Sequence, residues 1–114
     1  MAVDKPKVSK LVASLIEAMG QNLNDEGLRD TPTRVAEALE ELTGGYSMEP
    51  KKILEVEFNE TTGMIVAKDI DFFSLCEHHL LPFFGRIHIG YIPRAKIVGV
   101  SKLVRLVYCF TRRL

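Results

Sequence analysis

The sequence is short of cysteine, histidine and net charge. Its 114 residues include two cysteines and three histidines, and its 15 basic and 15 acidic side chains cancel. Two cysteines allow a single pairing and no disulfide framework, which points to reduced thiols and a cytoplasmic setting. Zero net charge excludes bulk attraction to nucleic acid or to an anionic membrane, so any anion site must be local. No apolar run approaches the roughly 20 residues of a membrane span. Glu17 interrupts the apolar stretch that follows the basic N-terminus, so a normal signal core is lacking too. There is no internal repeat and no low-complexity segment. Hydrophobic residues at 46% and charged residues at 26% fit a soluble globular chain and argue against disorder. A domain of this length buries roughly two-thirds of its unfolded surface, enough for one small core.

What is present reads as helices first and strands second, an α+β arrangement. Val8, Leu11, Val12, Leu15 and Met19 recur at helical spacing, with Gly20 as a stop. A polar connector, "QNLNDEGLRD", follows. Thr31 is expected to cap a second helix, with Pro32 at its first position. Val35, Ala38, Leu39 and Leu42 form its apolar face, and Gly44-Gly45 end it. After Pro50 the chain turns β-branched and aromatic, with a turn signal at Asn59–Gly63. "GRIHIGYIP" alternates, Ile87, Ile89 and Tyr91 on one face and Arg86, His88 and Gly90 on the other. "PRAK" is a turn and "IVGV" a short strand. A last helix carries Leu103, Leu106, Val107, Phe110 and Leu114 on one stripe, still in rhythm at Leu114. The division is a helical region over 1–50 and a sheet-and-helix region over 51–114. So small a sheet leaves edges that need covering, from which we expect either a longer chain or pairing with other copies.

Three of the five cysteines and histidines stand within four positions, Cys76, His78 and His79. C-x-x-H places a thiolate and an imidazole close enough to share a zinc ion, although a catalytic zinc takes three protein ligands plus water. Two readings stand, a metal pair or a buried structural cysteine. His78 is either a surface imidazole or a general acid/base beside a metal-activated water. Glu77 reads as a solvated or supporting carboxylate. Ser101, Lys102 and Arg105 form a second cluster. Ser101 suits a helix N-cap, and a cation as early as Lys102 opposes the helix dipole unless an anion is bound. Arg105 lies one turn on, on the same side. The alternatives are a phosphate cradle and a solvated basic face. Cys109 is either a third metal ligand or a small half-buried hydrophobe. His88 is either a surface residue or a ligand.

"CEHHLLPFFG", "IHIGYIP" and "VGVSKLVRLV", with "LRDTPTRVAEAL" and "DIDFFSLCEHH" upstream, resemble the GTP cyclohydrolase I family from about Gly27 to Leu114. The resemblance implies a tunnelling fold, in which antiparallel sheets of neighbouring subunits join, and a homo-oligomer that is a decamer of two pentamers. It implies a zinc-dependent enzyme that opens the imidazole ring of GTP at C8, releases formate and yields 7,8-dihydroneopterin triphosphate for folate or tetrahydrobiopterin synthesis. By the same resemblance Cys76 and His79 are zinc ligands and His78 transfers protons. Ser101, Lys102, Arg105 and Arg34 hold the ribose and triphosphate. Family members continue past the position of Leu114. The resemblance places there a third zinc-binding cysteine, a second catalytic histidine, a guanine-reading glutamate and another arginine. The alternative is a catalytically incomplete fragment acting as a nucleotide-binding or assembly module.

Overall fold

The computed structural model describes residues 2–55, 57–59 and 63–114. Two helices open the chain. α1 (Lys5–Ala18) begins at Asp4, whose carboxylate accepts the Lys7 N–H at 3.1 Å. It gives out at Gly20, which sits in the left-handed region (φ 79°) that glycine enters without penalty. α2 (Thr31–Leu42) runs back antiparallel to it, so that Lys5 at the start of α1 pairs with Glu40 near the end of α2 at 2.9 Å. The hydrogen bond to Glu40, with its charge, raises the Lys5 pKa above the ordinary 10.5. The pair is therefore intact at neutral pH and is lost only as pH climbs past that value. Ile16 of α1 and Pro32 and Ala36 of α2 are the buried residues of this pair. The cap expected at Thr31 falls one residue earlier, on Asp30. Thr31 is already helical, and its hydroxyl turns back to the Gly27 carbonyl at 3.3 Å.

A 3-10 turn (Gly44–Ser47) and the single turn α3 (Pro50–Ile53) lead into the strands. β2 (Ile65–Leu75) and β3 (Pro82–Tyr91) form a long antiparallel hairpin, while β1 (Glu57–Asn59) pairs antiparallel with β4 (Lys96–Val98). The turn expected at Asn59–Gly63 falls on residues 60–62, outside the described residues. The alternation read in β3 holds: Ile87, Ile89 and Tyr91 are half-buried, and Arg86, His88 and Gly90 are exposed. α4 (Val100–Thr111) lies across the hairpin. Leu103 and Val107 from the helix meet Ala67 and Ile70 from β2, flanked by Ile87, Ile89 and Tyr91. The Tyr91 hydroxyl accepts the Val98 N–H at 3.2 Å, tying the end of β3 to the strand that launches α4.

The hairpin is bulged. Lys68 and Asp69 together oppose His88, and Asp69 has φ 57°. The Asp69 N–H freed by the bulge donates to His88 Nδ1 at 2.9 Å. His88 is thus a surface residue with a structural task. Replacing it by leucine removes the acceptor and is expected to lower stability by about 1 kcal/mol, since the site is wet and water takes over part of the bond. His88→Gln keeps an acceptor and should recover much of the loss in a urea titration.

α4 departs from the expected stripe at its far end. The helix stops at Thr111, and Phe110 and Leu114 are exposed, whereas Cys109 is wholly buried. The reason is the 3-10 turn, which grips this end of the helix. The Gly45 N–H donates to the Arg112 carbonyl at 2.8 Å. The Tyr46 hydroxyl donates to the Leu114 carbonyl at 2.7 Å and accepts the Leu114 N–H at 3.0 Å. Arg113 donates through Nε to the Cys109 carbonyl at 2.6 Å, and its guanidinium lies over the Tyr46 and Phe110 rings. Carbonyls at a helix end have no partner within the helix; here those of Tyr108 and Cys109 are met by Arg112 and Arg113, and those of Arg112 and Leu114, just past the end, by a segment more than sixty residues earlier.

Candidate active site

The hairpin tip is the six-residue loop 76–81. Its ends are tied by the Cys76 N–H donating to the Leu81 carbonyl at 2.9 Å, and the Leu80 N–H donates to the Cys76 carbonyl at 2.8 Å. The reversal is tight enough to put Leu80 at φ 59°, a conformation that costs a branched side chain about 1–2 kcal/mol. The same reversal gathers the candidate metal and proton-transfer groups. Cys76 is half-buried, and Glu77, His78 and His79 are exposed. Cys76 Sγ lies 3.6 Å from His78 Nδ1. The Leu81 N–H points to His79 Nδ1 at 3.4 Å, a long and weak contact. A metal at Nδ1 would replace that contact, and one at Nε2 would end it by protonating Nδ1. Either change costs little.

The kinds of donor in this loop suit zinc, a thiolate and neutral imidazoles on one short reversal. Their number does not complete a site. Among the described residues no cluster of three or more histidine, cysteine, aspartate or glutamate side chains is placed to hold a metal. Cys109 does not supply the third ligand. It is buried against the 3-10 turn, its thiol directed to the Met48 carbonyl at 3.5 Å.

The basic cluster occupies the start of α4. Gly99, not Ser101, is the N-cap; Ser101 is the second helical residue, exposed, and makes no side-chain cap. Lys102 is half-buried, and its N–H donates to the Gly99 carbonyl at 2.9 Å. Arg105, one turn on, is exposed and opens on a recess of about 290 Å³ lined also by Ser47, Met48, Glu49, Lys52 and Ile53. Arg34 lies elsewhere. It is exposed on α2, 3.8 Å from Asp30 of the preceding turn, and does not line the Arg105 recess. No residue of the 76–81 loop lines it either. The structure therefore gathers Cys76, His78 and His79 at one tip, and Ser101, Lys102 and Arg105 on one helical turn.

The family model described as GTP cyclohydrolase I matches residues 8–114. The chain belongs to the GTP cyclohydrolase I family. It is 51% identical over 110 residues to GTP cyclohydrolase 1 of Campylobacter lari, an alignment covering 95% of this chain and 58% of that protein. With GTP cyclohydrolase 1 of Hyperthermus butylicus the identity is 48% over 114 residues, all of this chain and 58% of the relative. With that of Brucella suis it is 45% over 113 residues, 96% of this chain and 53% of the relative. The chain thus spans a little over half the length of the curated relatives it matches. The segment matched by the GTP cyclohydrolase I model contains both the 76–81 loop and the first turn of α4.

Within this family segment, reading the sequence missed Ser47, Glu49 and Lys52. The basic pair Lys51–Lys52 behind Pro50 was the available signal, but only the docking of α3 on α4, through buried Ile53, brings Lys52 to Arg105. Among the described residues no helix is long and apolar enough to cross a membrane.

Proposed function

We propose that this chain supplies the metal-binding loop and the phosphate cradle of a zinc-dependent GTP cyclohydrolase I. In this reading GTP is the substrate, one water is consumed, and C8 leaves as formate while the remainder becomes 7,8-dihydroneopterin triphosphate. The observation that carries the reading is the gathering of Cys76, His78 and His79 at one hairpin tip, within a segment about half identical to proteins named GTP cyclohydrolase 1. Cys76 and His79 would hold zinc, which when bound supplies an activated water. His78, beside them and exposed, gives and takes the proton that ring opening requires. Lys102 and Arg105 hold the triphosphate, with Ser101 on the ribose or a phosphate oxygen, and Arg34 binds phosphate from α2. Residues 51–114 carry the rest of this chemistry, and the helix within the first 26 residues serves packing or assembly.

The partners in this reading are GTP and further copies of the chain, in a decamer of two pentamers, in the cytoplasm, with no nucleic acid and no membrane. Two features support sheets that join between subunits. Among the described residues each sheet has two strands, and Phe73, Leu80, Leu81, Phe83 and Phe84 lie exposed towards the loop end of the hairpin, apolar surface of the kind that interfaces use.

A second reading is favoured by one observation, the lack of a third donor near Cys76 and His79 among the described residues. In it the 114-residue chain binds nucleotide or assembles without turning over substrate. GTP turnover by this chain with zinc supplied, followed by the fluorescence of the oxidised pterin, separates the two. Pterin that is lost with His78→Ala supports an enzyme. No pterin, with zinc held weakly and below one per chain, supports the module.

A further inference from the structure

The recess at Arg105 carries a charge arrangement that phosphate binding by the α4 cluster alone does not explain. It contains two cations, Lys52 and Arg105, one carboxylate, Glu49, and the Ser47 side chain. Lys52 Nζ lies 3.2 Å from Glu49 Oε2, both side chains mostly exposed. Among the described residues no carboxylate pairs with Arg105. The recess as a whole is therefore one positive charge in excess, and half of its cationic capacity is occupied by a neighbour one helical turn away.

We propose that Glu49 is a resident competitor for the anion that this recess takes. With the site empty its carboxylate neutralises Lys52. An incoming phosphate group draws Lys52 away, so that Ser47, Lys52 and Arg105 close on one phosphate while Glu49 is released to water. The inference rests on the assignment of Arg105 to phosphate binding and adds Lys52 to it as a ligand and Glu49 as a brake. An exposed ion pair three residues apart is weak and salt-screened, so giving it up costs little. A phosphate offers more, with up to two negative charges and three acceptor oxygens. Lysine binds phosphate as a mobile point charge, and arginine as a planar fork. Lys52 is suited to swing between two acceptors, and Arg105 to fix the orientation of the second. The consequence is that the affinity for the phosphate tail is set partly by a residue that never binds it.

The test is isothermal titration of the 114-residue chain with inorganic tripolyphosphate, and then with GTP, at low ionic strength. Glu49→Gln is expected to tighten binding about 3–10-fold and Lys52→Gln to weaken it by a similar factor, both effects shrinking as salt is raised. In the double variant the gain from Glu49→Gln should largely vanish, because it acts through Lys52. Glu17→Gln, an equal charge change on α1 outside the recess, should leave binding unchanged. If it tightens binding as much as Glu49→Gln, the effect is net charge and the proposal is overturned. If Lys52→Gln and Glu49→Gln are silent while Arg105→Gln abolishes binding, the proposal falls and the phosphate assignment of Arg105 stands. If Arg105→Gln is silent, or the unaltered chain binds no tripolyphosphate, both fall together.

Discussion

Under the proposed function, replacing Cys76 by serine is expected to lower GTP turnover on the order of 1000-fold and to reduce bound zinc well below one per chain. The side chain sits half-buried at the base of the 76–81 reversal, where a serine fits without strain. Folding should therefore be unchanged and the loss chemical. A neutral hydroxyl binds zinc far more weakly than a thiolate, which is the species that ligates. His78→Ala makes the informative contrast. Turnover should fall by roughly 100-fold or more, as when a general acid/base is removed, while zinc content stays at the level of the unaltered protein. Metal analysis beside the turnover assay reads both. Equal zinc and equal turnover in Cys76→Ser would remove the loop from the chemistry. Loss of zinc in His78→Ala would make that residue a ligand, the role assigned here to His79.

The second large effect concerns stability. Gly45→Ala is expected to cost about 2–3 kcal/mol and to lower the melting temperature by roughly 10 °C. A Cβ on Gly45 would overlap the Cys109 carbonyl oxygen and come within 2.7 Å of that of Arg112 and 2.9 Å of that of Tyr108. All three are backbone atoms of the helix end, so no side chain can turn aside to make room. The neighbouring glycine is the control. A Cβ on Gly44 meets nothing within 4 Å, and Gly44→Ala should be neutral or slightly stabilising through the unfolded chain. Equal melting temperatures for the two variants would mean that the 3-10 turn does not hold α4 in solution as described.

Much of this architecture was legible because hydrophobic spacing and burial agree. The alternation of Ile87, Ile89 and Tyr91, the helical stripe that includes Leu103 and Val107, and the glycine stop at Gly20 all reappear in the structure. What was not legible depends on contacts between distant segments. Phe110 and Leu114 belong to the stripe by spacing alone, but the 3-10 turn claims the Cys109 side of the helix and leaves those two exposed. Thr31 and Ser101 look like caps because their hydroxyls suit the role. The chain enters each helix one or two residues sooner, on Asp30 and on Gly99. In the candidate site, the cluster at Cys76, His78 and His79 is contiguous in sequence and was visible there. Lys52 is more than fifty residues from Arg105, and no local pattern connects them.

α4 is held at both ends, by Tyr91 and β4 where it starts and by Gly45 and Tyr46 where it stops, with Leu103 and Val107 packed between. A helix so anchored has little freedom left to lose. Groups on its open side meet a ligand with their spacing already set, and binding there spends little on ordering the backbone. The 76–81 loop is the opposite case, exposed at a hairpin tip with its imidazoles held by long contacts. Its backbone is tied, but the imidazoles are left for whatever they bind to fix. Under the proposed function, a nucleotide with its phosphates on the stiff helix therefore meets one partner whose geometry is set and another, the imidazoles, whose geometry binding itself completes.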